Sequence, residues 1–408
     1  MLPIRPPQLV GANRSFRLLF FATLGSGIGT WIAVVALTVD IYDHTHSGPW
    51  VSALLIVNFL PSVGVGLLFG PLIDKLSRRR LMIVSDLARL AVFATLPFVD
   101  SALAIVGLAA VAGLGNAFFR PAVLAGLPNL VETEELPRAN SFLQGTESVC
   151  TAVGPVLGGA MVSASGPALA YWINAATFLV SAGLLLAIPA RMLQSEQGLT
   201  KGHWRDLHEG LVTVVRSRAL LTALVAFSIV MVAIAGVNVA EIILAKEAFH
   251  AGAFGFGLLW SATGIGLVAG SLSAAAWLAR SELGRVYPAA YVVFGAGIFL
   301  AGVSPNVWLG SLAMVISGFG NGVVFVLTVL LVQRGAADQV RGRAFTLIIS
   351  VHNAILGLAM VATGPLVDAV GPRWLYVGAG ALVGTGALVA IAMTRGLAIE
   401  PAPAAAQA

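Results

Sequence analysis

The sequence predicts an all-α membrane protein of twelve transmembrane helices arranged as two pseudo-symmetric six-helix bundles, and three observations predict it. Of 408 residues, 58% are hydrophobic and only 10% are charged, with a mean hydropathy of +0.93, whereas an ordinary soluble domain is about a quarter charged. The apolar residues gather into runs of around 20, long enough to cross a hydrocarbon core, and they do not alternate as barrel strands do. The second half of the chain also repeats the first. A bilayer core offers no water to backbone N–H and C=O groups, so a spanning chain is either helical or a closed barrel. The run lengths choose helices.

The spans fall near residues 16–40, 50–70, 81–99, 102–121, 141–164, 168–189, 219–245, 255–278, 286–303, 307–332, 343–368 and 374–394. The first begins after Arg14 and Arg17 and runs past Trp31. It is longer than the apolar region of a cleavable signal and lacks a clear cleavage site, which predicts a retained helix. The third carries Asp86 and Arg89, three apart on one helix face, read as an ion pair supporting the loop before it. The fifth contains the lone Cys150, which excludes an internal disulfide and reads as a small buried residue. Spans one, seven and eleven place Asp40, Glu241 and Asp368 toward their outer ends, where solvated rim charges are expected. Residues 191–218 form the longest polar stretch and predict a cytoplasmic linker between a bundle over 1–190 and a bundle over 219–395. Residues 396–408 end in a low-complexity run and predict a disordered tail.

Orientation follows from Lys and Arg, which cytoplasmic loops retain. The N-terminus, the even-numbered loops and the C-terminus hold 20 of the 23 basic residues, with Arg120 counted among the loop residues. Both termini are therefore expected in the cytoplasm. Trp50, Trp172, Trp308 and Trp374 fall where spans meet the opposite interface, as an aromatic belt does. The net charge of +5 is this positive-inside bias and calls for no nucleic acid. Arginine outnumbers lysine 20 to 3, a usage associated with GC-rich bacterial genomes, so the expected site is a bacterial inner membrane.

The halves repeat residue by residue. Gly64, Gly66, Gly70 and Leu72 return 200 positions later as Gly264, Gly266, Gly270 and Leu272. Gly115-Asn116 returns as Gly320-Asn321, and Gly166-Pro167 with Tyr171 as Gly371-Pro372 with Tyr376, all shifted by 205. Six spans per repeat, each starting on the same side, make these parallel repeats about an axis along the membrane normal.

Two motifs carry a family resemblance. The second loop reads Gly70-Pro71-Leu72-Ile73-Asp74-Lys75-Leu76-Ser77-Arg78-Arg79-Arg80, and the fifth span reads Cys150-Thr151-Ala152-Val153-Gly154-Pro155-Val156-Leu157-Gly158-Gly159. The first resembles the major facilitator signature G-x-L-a-D-r-x-G-r-k, with Ser77 in place of its second Gly. The second is similar to the G-x-x-x-G-P-x-x-G-G pattern of that family's antiporters, with Cys150 in place of the first Gly. Glycines let helices approach closely, Pro155 removes a backbone donor and kinks its helix, and Asp74 and Arg78 are spaced for a charge-assisted contact. The resemblance implies the major facilitator fold. It also implies a loop, with Gly70, Asp74, Arg78 and Arg79, that locks the halves in the outward-facing state, and an antiporter motif of Gly154, Pro155, Gly158 and Gly159. The second-half copy of the loop has Ala274 where Asp74 stands. In the family's fourth-span pattern Gly113 and Gly115 match, but Ala109 and Ala112 replace its Arg and Gln. The wider pattern most resembles the branch of enterobactin and macrolide exporters.

Charges inside the membrane are functional candidates by default. Glu147 lies nine residues beyond Arg138 and His352 nine beyond Arg343, roughly 14 Å along their helices and near mid-bilayer. A carboxyl out of water tends to hold a proton and imidazole titrates near neutrality, so either side chain suits proton coupling, with Asp40 next in line. The resemblance implies that spans one, four, seven and ten line a central cavity. Its candidates are Trp31, Asn116, Phe119, Asn238, Asn321 and Phe325, an aromatic wall with few basic groups that suits a lipophilic or amphipathic molecule. The expected activity is export of such molecules by proton antiport, by a monomer without cofactor or metal, whose partners are the small-molecule substrate, protons and the lipid bilayer. An importer of the same fold is the nearest alternative. A membrane enzyme is disfavoured because neither H-E-x-x-H nor G-x-S-x-G occurs, and an ATP-driven pump because no G-x-x-x-x-G-K-[ST] occurs.

Overall fold

The structure, a computed structural model, describes residues 13–68, 76–193, 211–279, 281–336 and 338–394. Among the described residues, twelve long helices occupy the twelve predicted spans. They are α1 Arg14–Thr45, α2 Gly48–Leu68, α3 Arg78–Thr95, α4 Ala102–Gly126, α5 Leu136–Ser165, α6 Pro167–Leu186, α7 Arg218–Ile243, α8 Gly252–Leu278, α9 Leu283–Val303, α10 Val307–Gly335, α11 Asp338–Val370 and α12 Pro372–Thr394. Eleven are long and apolar enough to cross a membrane, and α2 contributes a shorter apolar stretch over Gly48–Asn58. The chain is a multi-pass, all-α membrane protein.

Local chemistry sets the helix ends. Asn13 caps α1, its Oδ1 accepting the Phe16 N–H at 3.0 Å while its Nδ2 donates to the Leu130 carbonyl at 2.6 Å. Ser77 caps α3, which explains a serine where the family motif has glycine. Ser217 caps α7 and also donates to the Gly335 carbonyl at 3.0 Å. The repeated Gly-Pro pairs are one-residue turns between α5 and α6 and between α11 and α12. Gly166 and Gly371 adopt φ of 74° and 83°, a region that suits glycine, and each is followed by a proline that opens the next helix. Trp50, Trp172, Trp308 and Trp374 all lie near the starts of even-numbered helices, marking one end of each bundle, while Arg14, Arg78, Arg138 and Arg218 lie near the starts of odd-numbered helices at the opposite end.

The fold divides into two compact units. One comprises residues 1–201 with 251–261, the other 202–250 with 262–408. The boundary differs from the expected 190 and 219: Ala190–Leu193 forms a short 3-10 turn, residues 211–216 are already helical, and the first turns of α8 group with the first unit. Within each unit the same pairs pack. In the first, α1 lies on α5 and α6, and α3 on α4 and α6; in the second, α7 lies on α11 and α12, and α9 on α10 and α12. The internal repeat is thus a repeat of packing. Small residues set the closest approaches: a Cβ on Gly295 of α9 would stand 2.7 Å from the Gly380 carbonyl of α12, and one on Gly380 as close to the Gly295 carbonyl. The repeated glycines Gly266 and Gly270 of α8 abut the carbonyls of Val315 and Phe319 in α10.

Candidate functional site

The predicted switch loop is described only from its second part. Gly70 and Asp74 lie outside the described residues. Arg78 opens α3, and Arg79 donates from Nε to the Leu185 carbonyl at 3.1 Å and from Nη2 to that of Leu186. These are carbonyls left over at the C-terminal end of α6, where a cation is favoured. Arg79 therefore ties the start of α3 to the end of α6.

About two helical turns of α3 further on, Asp86 and Arg89 form the predicted ion pair at 2.6 Å, with side-chain exposures of 0% and 4%. The Asp74 loop that it was expected to support lies outside the described residues. The Arg89 guanidinium lies 4.6 Å from the Phe119 ring of α4 and 4.3 Å from the Phe178 ring of α6. Gly115 gives it room, since a Cβ there would stand 3.0 Å from Arg89 Cγ. The pair is the polar centre of the first unit. Phe119 is consequently buried beneath Arg89 and not part of a cavity wall, which corrects its expected place.

The glycines of the antiporter motif face two neighbours. Gly154 abuts the Trp31 Cβ, and a Cβ on Gly158 would stand 2.8 Å from the Ile32 carbonyl, so this face of α5 lies on α1. Gly159 turns to the start of α8: a Cβ there would stand 2.6 Å from the Ala253 carbonyl, and Gly257 abuts the Pro155 carbonyl. Pro155 sits inside the helix, and the next amide, Val156 N–H, donates to Ser261 Oγ at 2.9 Å. Phe254 N–H donates to Ser163 Oγ at 2.9 Å, and Trp31 meets Trp260 edge to face at 5.5 Å. Trp31 is thus half-buried in packing as well as a candidate for substrate contact.

Glu147 was expected as an unpaired, desolvated carboxylate, and the structure corrects this. Arg120 Nη2 donates to Glu147 Oε2 at 2.8 Å, with side-chain exposures of 60% and 40%. Arg120 was counted as a loop residue, but α4 continues to Gly126 and holds it inside the span. Asn116 is exposed one turn before Arg120, and Gln144, Glu147, Ser148 and Thr151 form an open or half-open stripe on α5. Charged groups in a spanning helix avoid lipid and mark water-filled pathways. Arg120, missed from the sequence, thus supplies a basic group to a site expected to have almost none; the uninterrupted Ala122-Val123-Leu124 run after it was the available signal.

Asp40 is buried, not a solvated rim charge. It is 7% exposed, accepts the Tyr171 O–H of α6 at 2.7 Å, and has His44 Nδ1 at 3.3 Å. Glu241 in α7 is likewise not at a wet rim, being 1% exposed, whereas Asp368 is exposed as expected. His352 of α11 is buried, with Nε2 at 3.1 Å from the Leu224 carbonyl of α7 and its ring 5.0 Å from that of Phe227, a position filled by packing and a hydrogen bond. Among the second-unit cavity candidates, Phe325 is exposed and Asn238 and Asn321 are half-buried.

Comparison with known proteins agrees with these helix pairings. A family model described as Major Facilitator Superfamily matches residues 19–240. The multidrug efflux pump Tap of Mycolicibacterium fortuitum is 27% identical over 373 residues, covering 87% of this chain and 89% of Tap. The putative bacilysin exporter BacE of Bacillus amyloliquefaciens is 25% identical over 359 residues, covering 87% and 88%. The crystal structure of the nucleoside transporter NupG superposes with a TM-score of 0.72 at 15% identity, covering 94% of this chain and 99% of NupG, a likeness of fold.

Proposed function

Because the chain belongs to the Major Facilitator Superfamily, in the efflux branch that holds its relatives Tap and BacE, we propose that it is a secondary active exporter of lipophilic or amphipathic small molecules, driven by proton antiport with alternating access. The observation that carries the coupling is the Arg120–Glu147 pair, half-open on a polar stripe inside two spanning helices. A cationic or donor group of the substrate takes the place of Arg120 on the ionised Glu147 carboxylate, and water reaching the stripe delivers a proton to that same carboxylate. Protonation neutralises Glu147 and expels the substrate group, and loss of the proton restores the carboxylate for Arg120 or the next substrate. Proton and substrate thus exclude each other at one residue pair, which is what an antiporter needs. Within the second unit, the half-buried amides Asn238 and Asn321 and the exposed Phe325 are the candidates for contact with an amphipathic substrate. The arginine distribution favours both termini in the cytoplasm of a bacterial inner membrane, and the efflux relatives Tap and BacE support an outward direction.

The test uses the full chain in proteoliposomes, with ethidium as a lipophilic probe. Wild type should accumulate the probe in an acid lumen as protons leave it. Glu147→Gln keeps the shape of the side chain but cannot titrate, so it should retain downhill exchange and lose uphill accumulation. Uphill transport by Glu147→Gln would refute the coupling role and pass the test to His352 and Asp40. Accumulation by wild type only with an acid exterior would make the protein an importer.

A further inference from the structure

Glu241 is buried without a partner. It lies near the tryptophan-rimmed end of α7, 1% exposed, three residues before a π-helical turn over Leu244–Ala248. Its Oε1 accepts no hydrogen bond, and no Lys, Arg or His among the described residues pairs with it. Tyr376 of α12, the helix packed on α7, is 0% exposed, and its hydroxyl is also without a hydrogen bond. Two buried polar groups of complementary character thus stand near each other unbonded, a state that is costly to maintain without purpose.

The first unit holds the same arrangement with the bond made. Tyr171 lies 205 residues before Tyr376, and Asp40 lies 201 before Glu241. The helix pairs that carry them, α1 with α6 and α7 with α12, are equivalent in the two units. Tyr171 O–H donates to Asp40 Oδ2 at 2.7 Å, with His44 beside it.

The other charged groups near this end of α7 are accounted for. Arg373 of α12 donates to the carbonyls of Gly302, Ser304 and Ala248 and lies over the Phe249 ring. Asp368 of α11 is exposed, and Lys246 and Glu247 follow in the π-helical turn. On α11, Asp338, Arg341, Arg343 and His352 belong to the earlier turns, and α10 contributes only Arg334, in its last turn at the opposite end. No described cation compensates a charge on Glu241 by direct pairing, and a buried carboxylate lacking both cation and donor is the costliest form this side chain can take.

We infer that Glu241 and Tyr376 form a second proton-binding site. In this conformation the carboxyl group of Glu241 holds the proton. When the α7–α12 contact shifts, the Tyr376 O–H donates to the carboxylate as Tyr171 does to Asp40, and the proton passes to water at the tryptophan-rimmed end. The one bond broken is the O–H of the Glu241 carboxyl, and the one formed is an O–H of the water that takes the proton. The π-helical turn beside Glu241 is the element that takes up the shift, as such turns do at functional sites. The site's part in coupling rests on the antiport reading, but proton binding at Glu241 stands without it.

Infrared difference spectroscopy on the full chain in nanodiscs, stepped between acid and alkaline buffer, tests this directly. Wild type should show the carbonyl stretch of a protonated carboxyl that disappears on deprotonation. The band should be lost in Glu241→Gln and retained in Glu147→Gln, and in Tyr376→Phe, where the carboxylate loses its donor, its disappearance should shift to higher pH; this variant also serves if Glu241→Gln fails to fold. An unchanged band in Glu241→Gln together with no shift in Tyr376→Phe overturns the inference, as does a response to sodium in place of pH. If the band behaves as expected but no proton-driven export occurs, the antiport reading fails and the proton site stands; the reverse outcome sinks the site alone.

Discussion

Asp86→Asn should damage the protein more than removal of its partner Arg89. The pair is buried at the centre of the first unit, with exposures of 0% for Asp86 and 3% for Arg89. Breaking a buried pair from one side costs about 3–5 kcal/mol because a charge is left uncompensated. The two directions are unequal. Arginine cannot shed its proton in a protein, so Asp86→Asn strands a fixed cation beneath Phe119 and Phe178, whereas Arg89→Leu leaves a carboxyl that can take up a proton and become neutral. Arg89→Leu does forfeit the two ring contacts, worth about 0.5–2 kcal/mol each, so it is not harmless. The double variant Asp86→Asn/Arg89→Leu removes both charges and should recover much of the loss, with a coupling energy of about 0.5–3 kcal/mol. The assay is a four-member cycle of SDS-induced unfolding on detergent-purified protein, followed by tryptophan fluorescence. Stability of Asp86→Asn within about 0.5 kcal/mol of wild type, or simple addition of the two single losses, would refute the argument.

Two further outcomes test the motifs. Gly159→Val adds a branched side chain where a single Cβ would already stand 2.6 Å from the Ala253 carbonyl; forcing α5 and α8 apart should cost about 1–3 kcal/mol and abolish transport, and a fully active, normally stable variant would show that the close approach is dispensable. Asp74→Asn should leave folding and insertion intact while slowing turnover by weakening one conformational state, and full transport at normal expression would rule out the switch role that the loop's resemblance implies.

All twelve helices were legible because the length and apolarity of a spanning segment leave few alternatives, and the Gly166-Pro167 and Gly371-Pro372 repeats marked two of their turns. Partners were not. Asp40 near the end of α1 reads as wet until Tyr171, 131 residues later, closes over it, and Glu241 reads the same way until α11 and α12 pack against α7. Arg120 beside Pro121 reads as the end of a span, yet a proline in a membrane helix need not stop it, and α4 runs on to Gly126. Phe119 illustrates the converse error: the residue lies on a plausible cavity helix, but its ring is taken by Arg89 from the neighbouring α3.

The one-residue turns at Gly166 and Gly371 also bear on how the chain is made. With a single residue between α5 and α6, and again between α11 and α12, there is no loop to cross the bilayer ahead of the second helix. Each pair must enter as a hairpin, synthesised through its second helix before the first can settle. Even then Gly159 of α5 stays uncovered until the start of α8, which packs against it, has been made. The most exposed moment in the life of this protein thus falls before it has a substrate to move.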